Sequence, residues 1–460
     1  MTLHLLLLVA YSLGLIALGL AIGRFVRGTA DFFVAGRRLG AGLIFSTVLA
    51  ANIGAGSTVG ATGEGFRIGL GAWWWNGSAA LGSLLLAVWI GPRIWTLAER
   101  YGFLTVGDFL EHRYGAGVRG AIAGLLWLAT LTILAGQLIG VATILKVAGG
   151  VSIPVGCAIG GLVITAYFTA GGLLSSAWVN LVQLVVLLGG FASVMPSLLG
   201  SVGGLASLIA SPALPADHHR IWQPQVAATY LALLVPPFIV SPGLLQKTYG
   251  ATSAQAVRQG VGASAIVLAV FAFIPALIGM IARLNHPDLA LDQLALPTVL
   301  VRDLPPALGS LLLAAVFSAE ISTADAVLFM LATSLSQDLY RRFLKPDASD
   351  REVLRAARLA AVAGGVLGTV LGIVLERILT ALSIFYTLLG VSLFVPVLAG
   401  LYVKSAGRVE AASAIAAGLS VTIALQLGGV PLPTPLTPPL VGIIAAAIAF
   451  GAASVARRFR

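Results

Sequence analysis

The sequence predicts an all-α integral membrane protein of about 13 transmembrane helices. Three observations carry that prediction. Of the 460 residues 58% are hydrophobic and only 10% charged, the mean hydropathy is +1.01, and apolar runs long enough to cross a bilayer recur along the whole chain. A water-soluble fold of this composition would expose large apolar patches. The recurrence favours one membrane domain over the roughly three soluble domains that length alone suggests.

Taken in order, the spans fall at 3–23, 40–61, 70–95, 118–148, 152–170, 173–200, 224–246, 255–283, 306–335, 354–375, 378–402, 409–428 and 436–456. The first has no Lys or Arg before it and is long for a signal-peptide core, so it reads as a retained helix. An odd number of spans puts the two ends on opposite sides, and the Lys/Arg bias decides which. With the N-terminus outside, the outer loops hold only Arg67, Lys146, Arg220, Arg283, Arg302 and Arg377 of the 27 Lys+Arg; Arg37, Arg119, Lys247 and Arg341 fall with the rest inside. The expectation is N-out and C-in across the cytoplasmic membrane, with no lysine at mid-membrane. The excess of 27 Lys+Arg over 17 Asp+Glu thus reads as orientation rather than nucleic-acid binding. The lone Cys157 can form no disulfide or cysteine metal site within the chain.

Two spans carry breakers. The second contains Asn52-Ile53-Gly54-Ala55-Gly56-Ser57-Thr58, where each glycine lowers helix stability by about 1 kcal/mol relative to alanine. The seventh contains Val235-Pro236-Pro237 and Ser241-Pro242-Gly243, where each proline removes a backbone donor. They lie five spans apart and run in opposite directions, as inverted repeats of a transporter demand.

The ninth span holds Ser318-Ala319-Glu320-Ile321-Ser322-Thr323-Ala324-Asp325. Polar groups in such a setting are costly unless protein, water or an ion satisfies them. Ala319, Ser322 and Thr323 fall at i, i+3 and i+4, so a carbonyl and two hydroxyls share a face, and small hard cations take such oxygens. The hydroxyls could equally bond back to their own helix. Asp325, three residues after Ser322, sits on the same flank; Glu320 is about one residue off it. In the sixth span Ser176, Asn180 and Gln183 form a polar stripe at i, i+4 and i+7 that faces another helix or a solute path.

These features resemble the sodium:solute symporter family. The resemblance rests on Ala30-Asp31-Phe32-Phe33-Val34-Ala35-Gly36-Arg37-Arg38, Ala51-Asn52-Ile53, Gly171-Gly172-Leu173 with Trp178 to Gln183, Gln246-Lys247, Ser322-Thr323 with Asp338-Leu339-Tyr340, and Pro396. It implies a leucine-transporter-like core of two inverted five-helix repeats, 40–200 and 224–403, preceded by a leading helix and loop over 3–39 and followed by two helices over 404–460. It further implies a Na+ site made of the carbonyls of Ala50, Ile53 and Ala319 and the hydroxyls of Ser322 and Thr323, with no organic cofactor.

The chain departs from the family pattern in two places. Many relatives have an aspartate where this chain has Asn180, whereas Asp325 stands where some use a serine for a second sodium. Asp325, Asn180 and Ser322 are therefore candidates for a second cation or a proton. Near the second break Gly243 replaces a gating aromatic. The candidate solute pocket is Asn52, Gly54, Ser57, Trp73, Asn76, Gln137 and Gly243. With Gln137 rather than an arginine on the fourth span, a sialic-acid-type carboxylate clamp is not expected. One or more of Trp73, Trp74 and Trp75 also fits an interface anchor, and Glu64 with Arg67 fits a local i, i+3 pair.

No catalytic motif is found, and the five histidines lie in loops or near span ends. The expected function is thus cation-coupled symport, most simply with sodium, of a small organic solute by alternating access, in a monomer embedded in lipid. Proton coupling through Asp325, or a solute sensor acting through a separate partner, are the alternatives.

Overall fold

In the computed structural model the described residues are 6, 9, 10, 13, 14, 17, 34–168, 173–429, 431–433 and 435–458, with the side chains of 167, 168, 173–179 and 458 excepted. Most of the predicted leading span 3–23, the motif positions 30–33, 171 and 172, and the side chains of Ser176 and Trp178 lie outside them.

Lipid offers the backbone no hydrogen bonds, so apolar segments close their own as helices. The span expected at 40–61 is in two pieces. Helix α1, Ala41–Asn52, ends at Ile53 in an extended conformation, and a wide π turn over Gly56–Gly60 leads into α2, Ala61–Ile68. Then come α3, Trp73–Leu85, and α4, Gly91–Tyr101, which Gly102 stops in the left-handed region at φ 73°. The short polar α5, Val106–Tyr114, starts on a capping box of Thr105 and Asp108. Helices α6, Ala116–Gly149, α7, Ile153–Phe168, and α8, Leu173–Ser201, follow.

The span expected at 224–246 is also broken, but not at its proline pair. Helix α9, Pro224–Val240, continues through Pro236 and Pro237 and stops at Ser241, with α10, Pro242–Tyr249, starting on a proline at its first position. That placement is favourable because the first turn needs no N–H from its leading residue. The rest is α11, Ala254–Phe271; α12, Phe273–Asn285; α13, Ala295–Arg302; α14, Pro306–Thr333, prolonged by π turns over Ser334–Leu344; α15, Asp350–Leu375; α16, Ile378–Tyr402; α17, Arg408–Leu427; and α18, Pro438–Arg458.

Among the described residues ten helices are long and apolar enough to cross a membrane, and Ala41–Asn52 and Ile153–Ala166 are shorter apolar ones. Burial sorts them. The most apolar windows of Ala116–Gly149 and Pro306–Leu344 are 89% buried inside the protein, whereas those of α17 and α18 are 33% and 22% buried. Helices α6 and α14 are therefore the centre, and α15, α17 and α18 are peripheral. Leu359, Val362, Val366, Val370 and Val374 make an exposed apolar stripe along α15, which suits contact with lipid tails. Both breaks face this centre.

Candidate functional site

The first break and α14 meet through Thr323. Its Oγ1 lies 2.9 Å from the carbonyl oxygen of Ala50 and 3.1 Å from that of Ile53. One hydroxyl proton serves one carbonyl at a time, so the cluster keeps acceptor capacity. Beside it is a cavity of about 10 Å³ lined by Ala50, Ile53, Gln183, Ala319 and Ser322 together with Leu184 and Leu187 of α8. That is room for about one water-sized sphere. All five oxygen-bearing residues named from the resemblance are thus gathered here. Ser322 Oγ donates to Asn180 Oδ1 at 2.7 Å.

Gln183 is the residue that the sequence reading left in its polar stripe and did not place in the site. It is 2% exposed, lines this cavity, and neither its Oε1 nor its Nε2 has a hydrogen-bond partner. A buried amide without partners is rare in folded proteins and calls for an occupant. The i, i+4, i+7 stripe was its signal.

The turn itself is tightly held. Gln137 Oε1 accepts from the backbone N–H of Ala55 at 2.8 Å, and Asn76 Nδ2 donates to the carbonyl of Ser57 at 3.0 Å. Ser57 Oγ donates to the carbonyl of Asn52 at 2.5 Å. A Cβ on Gly54 would stand 2.5 Å from Thr323 Oγ1 and 2.6 Å from Gln137 Oε1, so only glycine fits between α14 and α6. Glu320 is fully buried behind the turn, where its Oε1 lies 2.8 Å from Thr58 Oγ1 and its Oε2 has no partner.

A second cavity, of about 50 Å³, lies between the two breaks. Asn52 comes from the first, Ser241 and Gly243 from the second, and Thr323 from α14; Phe385 and Tyr386 close the wall from α16. Of the predicted pocket, Asn52 and Gly243 line this space, whereas Gly54 and Ser57 are buried in the turn of the first break and Asn76 and Gln137 hydrogen-bond that turn from α3 and α6. Trp73 is elsewhere: its Nε1 donates to the carbonyl of Ala269 at 3.0 Å and its ring packs on Phe273.

Lys247 corrects the expectation of a lysine-free interior. It is 2% exposed, lies within the span Pro224–Tyr249, lines the larger cavity, and feels the charge of Asp325. The break at Ser241 turns α10 into the protein and carries the lysine with it. Asp325 is itself only 6% exposed, and it is not among the residues lining either cavity.

Away from the centre, Arg119 is buried in a network. It pairs with Asp338 at 2.7 Å and with Asp108 and Glu111 at 2.9 Å each, while Thr105 Oγ1 donates to Asp338 at 2.6 Å. Glu111 also accepts from Arg342, and that hydrogen bond, followed by the Arg119 one, holds its carboxyl below the usual range. The expected Glu64–Arg67 pair is present at 2.8 Å.

The model of the sodium:solute symporter family matches residues 32–420. The sodium/pantothenate symporter of Escherichia coli (strain K12) is 29% identical over 351 residues, covering 72% of this chain and 70% of that protein. The sodium/glucose cotransporter of Vibrio parahaemolyticus is 25% identical over 396 residues, covering 76% and 70%. The solved structure of a Na+-coupled sialic acid symporter in a substrate-bound outward-open state superposes with a TM-score of 0.81 at 18% identity, over 99% of this chain and 97% of that one. That likeness shows the fold, an all-helical leucine-transporter-like bundle.

Proposed function

The chain belongs to the sodium:solute symporter family, and from that premise we propose that one sodium ion binds in the small cavity at Thr323 and a small organic solute in the larger cavity beside it. The protein is a multi-pass membrane transporter of the cation-coupled symport class. The observation that carries the sodium assignment is the convergence of the Ala50 and Ile53 carbonyls on Thr323 Oγ1, next to a space that fits one ion. Hard neutral oxygens suit a monovalent alkali cation. Gln183 Oε1 joins Ala319 O and Ser322 Oγ as a further ligand.

Thr323 lines the larger cavity and hydrogen-bonds the Ala50 and Ile53 carbonyls that line the smaller one, so filling either space constrains the other, and this is the physical link between ion and solute. Unpaired carbonyls at a helix break are costly to leave bare, and the ion offsets that cost only while the break holds its shape. Residues 40–200 and 224–403 act as inverted repeats, with 3–39 and 404–460 outside them. The N-terminus is outside and the C-terminus inside the cytoplasmic membrane, and the working unit is a monomer. Under a negative-inside potential each sodium entering supplies about 2.3 kcal/mol per 100 mV. The proton-coupled alternative through Asp325 is not favoured, since neutral oxygens and not that carboxylate line the ion cavity.

Reconstituted vesicles with an inward sodium gradient test this reading, alongside sodium-induced thermal stabilisation of the purified protein. Sodium should raise the melting temperature and potassium should not, and Thr323→Val should abolish the difference. Equal stabilisation by both cations would overturn it.

A further inference from the structure

The geometry points to an organic monocarboxylate as the solute, with its carboxylate held by the ammonium of Lys247. This rests on the larger cavity being the solute site. Among the described residues Lys247 is the only formally charged one lining that cavity. An ammonium carries three donors, and the one charge acting on it, Asp325, is not part of the cavity wall. Donors therefore remain for a group inside the cavity, and a carboxylate is the partner that makes charge-assisted hydrogen bonds with them.

The rest of the wall says what the carboxylate is attached to. Ile133, Pro237, Phe238, Leu244 and Phe385 present apolar surface, which suits a hydrocarbon body. A sugar would bring many hydroxyls, but the neutral polar groups here are few, and Asn52 Nδ2 already donates to Ser83 Oγ at 3.3 Å. An amino acid would bring an ammonium, yet no Asp or Glu lines the cavity to receive it. At about 50 Å³ the space is well below the few hundred Å³ of common ligand pockets, so the acid is short. Lys247 thus selects the solute.

The test is competition against radiolabelled isobutyrate uptake into vesicles under an inward sodium gradient, with propionate, pyruvate, isobutyramide, glucose and proline as competitors. The short acids should compete, and the amide, the sugar and the zwitterion should not. Lys247→Met should raise the half-saturation for isobutyrate at least tenfold, Lys247→Arg should recover part of it, and the sodium-induced thermal shift should persist in both. Competition by isobutyramide equal to that by propionate would overturn the inference even if Lys247→Met failed to fold. Sodium stabilisation without uptake of any short acid would overturn it and leave the sodium reading standing. Absence of sodium stabilisation would overturn the sodium reading itself.

Discussion

The Ser322 hydroxyl and the Asn180 side-chain oxygen are 2.7 Å apart, and this bond joins α14 to α8 on the flank of the ion cavity. Asp325, three residues further along the helix, is spent on Lys247 instead.

Removing the Asn180 amide should consequently be mild. Loss of one hydrogen bond costs about 1 kcal/mol, so Asn180→Ala should raise the sodium half-saturation roughly fivefold. Asp325→Asn leaves a buried lysine without its counter-charge, a change on the order of 3–5 kcal/mol in other buried pairs. It should cut transport far more deeply and lower the melting temperature. Sodium-dependent uptake of the two variants decides the matter, and equal small effects would refute the assignment.

Thr323→Val keeps the volume and removes the oxygen that bridges Ala50 and Ile53. Sodium half-saturation should rise by at least tenfold, and Thr323→Ser should restore most of it. Gln183→Leu should give a smaller rise, with folding intact, because both amide atoms are unpartnered and burying an apolar group there removes a desolvation cost. Sodium-induced thermal shifts across the three variants check the order.

Gly54 and Gly243 should respond oppositely to alanine. At Gly54 the added Cβ meets Thr323 and Gln137 at 2.6 Å or less, and transport should be lost. At Gly243 the nearest atom is Met330 Sδ at 3.5 Å, an ordinary contact. Gly243→Ala should keep the sodium response and change only the solute half-saturation.

The Arg119 network gives a pH signature. Glu111 has a carboxyl held below its ordinary 4.5 by Arg342 and Arg119. A group depressed on folding contributes stability that is fully present above its unfolded value and is lost as pH falls through the lower folded one. The melting temperature should therefore hold from neutrality to about pH 5 and drop below the ordinary carboxylate range. Glu111→Gln should flatten that drop, as melting curves in detergent would show.

Much of the centre was legible because its chemistry is local in sequence. Gly54 and Gly56 announce the first break, and Ala319 with Ser322 and Thr323, three and four residues on, is brought to one flank by helical spacing. Lys247 was not legible, since a hydropathy window ends a span at the first charge, and only the turn at Ser241 shows that α10 folds inward. The second break falls at Ser241-Pro242-Gly243, one of the two breaker segments read in that span, while the other, Pro236-Pro237, is carried inside α9. Trp73 and Asn76 are three residues apart, yet one reaches Ala269 and the other Ser57, a divergence decided by neighbours distant in the chain. Arg119 read as a loop residue for the same reason: its three carboxylate partners come from two separate elements.

Just ahead of α1, Leu39 hydrogen-bonds both ways with the segment after α10, its N–H to Gly250 at 2.9 Å and its carbonyl from Thr252 at 3.0 Å, and Arg37 donates to the carbonyl of Tyr249 at 3.0 Å. The start of the half-helix that carries the Ala50 carbonyl is thereby tied to the end of the one that carries Lys247. On the proposed reading, a movement of either half-helix is passed to the other through this backbone tie, so the carbonyls that face the ion and the ammonium of Lys247 shift as one unit.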